Sequence, residues 1–346
     1  MIPHSRPTLE KKDAEALSEV LLSGHIAQGE KTAEFEKQMA RFLGVRGCMA
    51  TSSGTAALHL SLIALGIGEG DQVLLPTYVC AALLNAVNYV GATAVLVDIN
   101  PRDFNLDVRD LKAKRTPRSK AVILPHMFGL PADIDEIMAL GIPVIEDCAQ
   151  AIGATFRGRP VGSFGTLSVF SFYATKVMTT GEGGLVASHS ETLLEKVKDL
   201  RAYDEKDDYR LRFNYKMTDL QGALGSSQLA RLADFISRRR KIASRYAAGF
   251  KGLPVKFPRE REDRGSIFFR YIVLTERPLA SMLQAFERKG VCCRRPVYKP
   301  LHRLLGLGGF PCAEEVAESA LSLPIYPSLR EEEIEEIIKA AQEILG

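Results

Sequence analysis

Tryptophan is absent from the 346-residue sequence, and aromatic residues make up only 8% of it. An aromatic platform for single-stranded nucleic acid is therefore not expected. Cysteine is scarce. The six, at positions 48, 80, 148, 292, 293 and 312, form no CxxC pair and no zinc-type spacing. Spread through a long chain, they read as reduced thiols, with neither a disulfide framework nor a metal centre. Charge of one sign is lacking too. There are 45 Lys and Arg against 42 Asp and Glu, a net +3, which gives no electrostatic argument for a nucleic-acid or membrane partner. No apolar run approaches the ~20 residues needed to span a bilayer. Met1–Pro7 has no apolar segment of the kind that marks a secretory signal. The expectation is a cytoplasmic protein that handles small molecules.

What is present is ordinary for a globular chain, with 46% hydrophobic and 25% charged residues. The length suggests one large domain and one smaller one. Two amphipathic helices are expected at Leu9–Leu22 and Thr32–Leu43. Apolar β-type runs follow at Gly47–Thr51, Gln72–Pro76, Thr93–Val97, Ala121–Pro125, Pro143–Glu146, Leu167–Phe170 and Leu185–Ser188. Helical patterns separate most of them, as in βαβ units with a mostly parallel sheet. One long helical region is expected at Leu220–Ala247. After Lys251–Arg264, rich in charge and proline, come a β-run at Ile267–Leu274, a helix near Leu279–Lys289, a short strand and two terminal helices. The fold class is therefore α/β. A large domain with a mostly parallel central sheet spans residues 1–250, and a small α+β domain spans 251–346.

Several familiar motifs fail. Gly24–Lys31 resembles a phosphate-binding P-loop, but no strand leads into it and Glu30 separates Gly29 from Lys31. No GxGxxG follows the first strand and no HExxH occurs. The run Arg238–Lys241 reads as a solvated helix face.

Four segments carry chemistry. Thr51–Ala57 joins a strand to a helix through small residues, leaving amides free at a helix start that attracts anions. Val144–Asp147 ends an apolar strand in carboxylates, where ligands of open α/β sheets sit. Asp147 there could pair with a protonated ring nitrogen or cap a helix. Ser168–Lys176 places a lysine after an apolar strand and before the turn Gly181–Gly184. Burial lowers a lysine's pKa, which suits Schiff-base chemistry. Tyr78, at the end of Gln72–Pro76, could stack on a planar ring or be a core residue.

In this order, and with Gly24–Gly29, Gly68–Val73, Asn214–Gln221 and Leu323–Pro327, the sequence resembles the DegT-type sugar aminotransferases. These are pyridoxal 5'-phosphate (PLP) enzymes of the aspartate-aminotransferase fold. The resemblance implies that Lys176 carries the cofactor covalently and that Asp147 bonds its pyridine nitrogen. By the same carry-over Gln150 lies near the ring hydroxyl and Tyr78 stacks on the ring. Gly54, Thr55 and Ser171 hold the phosphate, and Asn214 reaches the phosphate of a neighbouring subunit in a homodimer with shared sites. Tyr173 and His302 are implied at the substrate mouth. Lys216 and Tyr173 stand where the family often has Arg and His. The implied reaction moves an amino group, from glutamate by resemblance, to the keto group of a nucleotide-linked sugar. Two alternatives remain: a dehydratase-like relative, which has His in place of the lysine, and a non-catalytic regulator of the same fold.

Overall fold

The structure, a computed structural model, describes residues 1–346. Twelve strands run along the chain: β1 (Gly47–Thr51), β2 (Gln72–Pro76), β3 (Thr93–Val97), β4 (Ser119–Pro125), β5 (Val144–Asp147), β6 (Thr155–Phe156), β7 (Arg159–Pro160), β8 (Leu167–Ser171), β9 (Gly184–Ser188), β10 (Arg264–Gly265), β11 (Tyr271–Leu274) and β12 (Ala320–Leu323). Seven of them form the central sheet in the order β1-β9-β8-β5-β4-β2-β3. β9 alone runs antiparallel to its neighbours, and the other pairings are parallel.

Both faces of this sheet are covered, which is why its strands are apolar without alternation. Along β4, Val122 and Leu124 enter one core and Ala121 and Ile123 the other. The same two-sided burial holds for Leu74 against Val73 and Leu75 in β2. The helix Gly54–Ala64 is buried almost all round, matching its uniformly apolar sequence.

A third core gathers β11, β12 and the helices Leu279–Arg288 and Glu331–Leu345. Ile2 and the end of the helix Leu232–Gly249 join it through Ile242, Tyr246 and Phe250. The chain start is held by backbone bonds. Ile2 N donates to the Gly290 carbonyl at 2.7 Å, and Cys292 N donates to the Ile2 carbonyl at 2.9 Å.

Some expectations need correction. The helical region 220–247 is two helices, Asp219–Leu229 and Leu232–Gly249. They part at Arg231, whose guanidinium turns to Glu10 and Asp13 near the chain start. The short strand lies at Ala320–Leu323, between the terminal helices, and pairs with β11. Residues near Val291 contribute only isolated bridges. Gly24–Lys31 is a helix entry. Gly29 N, Lys31 N and Thr32 N all donate to the Asp219 carboxylate. The run Arg238–Lys241 is not simply a solvated face, because Arg239 is buried.

Candidate active site

The carboxyl ends of β1, β5 and β8 and the amino end of β9 lie side by side along one edge of the sheet. A cavity of about 240 Å³ opens there. Its walls include Gly54, Thr55, Cys80, Asp147, Ser171 and Lys176. Three larger cavities, of about 420, 760 and 830 Å³, lie elsewhere and contain neither Lys176 nor Asp147.

Each wall follows from local sequence. Ser53 caps the helix Gly54–Ala64, its side chain accepting from Ala56 N at 3.1 Å. The amides of Gly54 and Thr55, ahead of the first intrahelical bond, stay free for an anion. They face Ser171 at the end of β8. A side chain on Gly54 would place its Cβ 2.9 Å from Ser171 Cβ, so the glycine keeps this cradle open. Gly184 serves the same corner: a Cβ there would lie 2.3 Å from the Ser53 carbonyl carbon and oxygen. Only glycine lets β9 pass so close to the helix start.

Asp147 ends β5 and is 7% exposed. Its Oδ1 accepts from Ala149 N at 2.9 Å, and Oδ2 has no hydrogen-bond partner in the fold. Burial raises its pKa, while the Ala149 amide and the Lys176 charge oppose the rise. Lys176 sits in the turn after β8, its backbone N donating to the Tyr173 carbonyl at 2.9 Å. Burial lowers its pKa, with Cys80 and Asp147 pulling it up and Arg270 pushing it further down. The Nζ lies 5.4 Å from the centre of the Phe269 ring. A half-buried amine, an unsatisfied carboxylate oxygen and free helix amides round one cavity suit a phosphorylated, ring-bearing aldehyde. The donor set fits PLP.

Of the residues expected at the site, Gly54, Thr55, Asp147, Ser171, Tyr173 and Lys176 line the cavity. Gln150 does not; its Oε1 accepts from Phe128 N at 3.1 Å. Asn214 is exposed and lies away from this cavity. Two expectations fail in this chain. Tyr78 is fully buried and packs edge-on against Phe128, with ring centres 6.4 Å apart, so no ring face is open for stacking. His302 is not at a substrate mouth. It is fully buried, with Nδ1 2.8 Å from Thr77 Oγ1 and Nε2 2.6 Å from Glu314 Oε1. It clamps the helix Leu301–Leu305 onto the end of β2.

Sequence reasoning missed the support beneath Asp147. Glu146 points to the opposite face and is fully buried. Its carboxylate accepts from Gly162 N, Phe164 N and Gly165 N at 2.6–2.9 Å. His126 Nε2 lies 3.0 Å from Glu146 Oε2, and its Nδ1 accepts from Ala132 N. His126 is therefore the neutral Nε2–H tautomer. These bonds hold the carboxyl below its ordinary pKa against the burial that raises it. Cys148 lies beside them, but with His126 bonded at both nitrogens the group is a structural knot. Cys80 and Phe269 were also missed. The signal for Cys80 was its place two residues beyond Tyr78, in the loop after β2.

The profile of the DegT/DnrJ/EryC1/StrS aminotransferase family matches residues 7–342. The chain belongs to this family. Its members are PLP-dependent sugar aminotransferases. Among its relatives, a GDP-perosamine synthase of Caulobacter vibrioides is 36% identical over 337 residues, covering 92% of this chain and 91% of that protein. A UDP-N-acetyl-3-dehydro-alpha-D-glucosamine 3-aminotransferase of Acidithiobacillus ferrooxidans is 35% identical, with 93% and 90% covered. The solved aminotransferase TlmJ of Streptoalloteichus hindustanus superimposes with a TM-score of 0.96 at 31% identity, covering 100% and 99% of the two chains. A putative sugar aminotransferase, Spr1654 of Streptococcus pneumoniae, has been solved in its PMP form; it has a TM-score of 0.94 at 27% identity, covering 99% and 98%. The family assignment agrees with the fold class expected from sequence. No helix of this chain is long and apolar enough to cross a membrane.

Proposed function

We propose that this chain transfers the amino group of an amino acid, glutamate above all, to the keto carbon of a nucleoside-diphosphate-linked sugar, with PLP as its cofactor. The observation that carries the reading is the meeting of Lys176 and Asp147 in one cavity under the free amides of Gly54 and Thr55. The GDP- and UDP-sugar enzymes among its relatives supply the substrate class.

PLP, when bound, supplies an aldehyde that condenses with amines and a ring that accepts the electron pair released at the neighbouring carbon. Gly54 and Thr55 amides and the Ser171 hydroxyl would hold its phosphate. Asp147 Oδ2, the unsatisfied oxygen, would hold a proton on the ring nitrogen. Lys176 Nζ, whose pKa burial lowers, would take a proton from the donor's carbon and return it one position away. Tyr173, exposed at the rim, would face the incoming sugar. The lysine at position 176 removes the feature on which a dehydratase-like reading depends.

Two further assignments belong to this proposal. Asn214, exposed and away from its own cavity, would complete the phosphate site of a partner subunit in a homodimer. The chain would divide into a large domain, 1–250, and a small one, 251–346, with Ile2 lending itself to the third core. Incubating the PLP-loaded protein with glutamate should shift the cofactor's absorbance to the amine form. A GDP- or UDP-linked keto sugar should then restore the first spectrum and yield an amino sugar by mass spectrometry. A cofactor spectrum that glutamate leaves unchanged would remove the aminotransferase reading.

A further inference from the structure

The fold buries one guanidinium on backbone carbonyls alone, in a cleft it shares with Thr175, and leaves a second there with no oxygen acceptor. Arg239 is 3% exposed. Its Nη1 donates to the carbonyls of Phe268, Phe269 and Ile325, and its Nε has no partner. Arg270, just before β11, lacks even carbonyl acceptors. Its side chain bonds only to the His4 ring, at 3.1 Å from Nε2. Both arginines line a narrow cleft with His4, Ser5, Thr175 and Phe269. Thr175 adjoins Lys176. The Phe269 ring centre is 5.4 Å from Lys176 Nζ and 5.4 Å from Arg270 Cζ. On its outer side Arg270 borders a cavity of about 420 Å³, shared with Arg294 and Arg295. Glu287 is the one acid on that wall, and it forms no ion pair with them.

A cation withdrawn from water is costly unless an anion or several good acceptors meet it. Arg239 has carbonyls. Arg270, half-buried, has a neutral imidazole, which orients the fork, and no carboxylate within ion-pair reach. An oxyanion brought by a ligand would supply that partner. The position selects which one. An amine reacting at Lys176 arrives within reach of the same aromatic ring that Arg270 covers, and an amino acid carries its carboxylates a few ångströms from its amine. A guanidinium also matches a carboxylate in two parallel bonds.

We propose that Arg270, aimed by His4, recognises a carboxylate of the amino donor. This rests on the aminotransferase reading above. Arg270 is the binding group and His4 a positioning residue.

Glutarate, a dicarboxylate with no amine to react, is the probe. It is titrated by calorimetry into the PLP-loaded wild type, Arg270→Gln and Arg270→Lys, each checked for folding by circular dichroism. Arg270→Gln should weaken glutarate binding about 10- to 100-fold, the loss of one charge-assisted contact. It should raise the glutamate concentration for half-maximal spectral conversion by a similar factor. The defect should be larger at low glutamate than at saturation, and larger in the glutamate half-reaction than in the sugar half-reaction. Arg270→Lys keeps the charge without the fork and should lose less; it carries the test if the glutamine variant does not fold. His4→Gln, which keeps an acceptor, should bind glutarate better than His4→Leu. Unchanged glutarate affinity in folded Arg270→Gln, or a defect confined to the sugar half-reaction, overturns the proposal. Arg270-dependent glutarate binding in an enzyme that ignores glutamate would support the carboxylate site and count against the proposed reaction instead.

Discussion

Gly54→Ala separates the phosphate cradle from the fold. Gly54 opens the helix Gly54–Ala64 and is not in the left-handed region, so alanine meets no backbone strain. Its methyl would lie 2.9 Å from Ser171 Cβ and 3.4 Å from both Ser171 Oγ and the Phe170 carbonyl oxygen. Ser171 is pinned by the pairing of β8 with β9. The helix start must therefore retreat, or the serine hydroxyl must swing away. Either movement separates the free amides from Ser171 Oγ, the groups that would share one phosphate. Hydrogen bonds to charged groups contribute about 1.5–3 kcal/mol each. Weakening one of them lowers cofactor affinity roughly 10- to 100-fold. Stability should change little. Crowding of about 1 kcal/mol moves the Tm of a chain this long by only about 1–2 °C. The assay titrates cofactor-free protein with PLP and, separately, with pyridoxal lacking the phosphate. The variant should lose affinity for the phosphorylated form only. Equal loss for both forms, or loss for neither, would refute the phosphate role of this helix start. Gly184→Ala is the contrast. Its Cβ meets the Ser53 backbone at 2.3 Å, so it should lower Tm even without cofactor.

The remaining predictions concern groups whose pKa the fold shifts. Lys176→Ala should abolish turnover, and borohydride reduction of the PLP-loaded wild type should leave the cofactor on the peptide containing Lys176; a label on another lysine sinks the assignment. Asp147→Asn should retain cofactor but lower the saturating rate about 10- to 100-fold, because a neutral amide cannot hold the ring proton; near-normal turnover would take Asp147 out of the mechanism. His4 is held down to about 3 by burial and then by the charges of Arg270 and Arg294, against about 6.5 in an unfolded chain. Between about pH 3 and 6.5 the unfolded chain therefore binds the extra proton, and stability falls as pH drops through this window. The slope from this one group approaches about 1.4 kcal/mol per pH unit. Urea unfolding at pH 7, 6 and 5 should show a steeper loss in wild type than in His4→Asn, and equal slopes would contradict the shift.

The parts legible in the sequence were those with a local signature. Strands β1, β2 and β3 appear with the bounds their apolar runs suggest, because burial on both faces leaves a short run with abrupt polar ends. Lys176, Asp147 and Gly54 were legible for a related reason. Each stands at the end of such a strand or the start of the helix after it, where ligands of open sheets collect. Tyr78 and His302 were misjudged because their partners are distant. Nothing near His302 announces Thr77, 225 positions away, yet that hydroxyl fixes the ring.

The same distinction separates the chemistry of this enzyme from its selectivity. The groups proposed to hold the cofactor come from strand ends of one sheet, so any sequence that builds the sheet presents them together. The groups that alter Lys176 from outside come from elsewhere. Phe269 and Arg270 stand just before β11, and His4 is brought in by the chain start, which β-type bonds tie to Gly290 and Cys292. Phe269 belongs to the first core, whereas His4 and Arg270 flank the third, next to Ile2 and Tyr271. A change in that core can therefore shift donor recognition without touching Lys176 or Asp147. Ile2→Ala removes a 5%-exposed side chain from it, a truncation that costs about 2–5 kcal/mol when the site cannot collapse. The loosened chain start carries His4, and with it the aim of Arg270. Glutarate affinity in Ile2→Ala should fall in the same direction as in His4→Leu, while PLP affinity stays at the wild-type value. A variant that loses PLP and glutarate together would instead place the chain start in the support of the whole site.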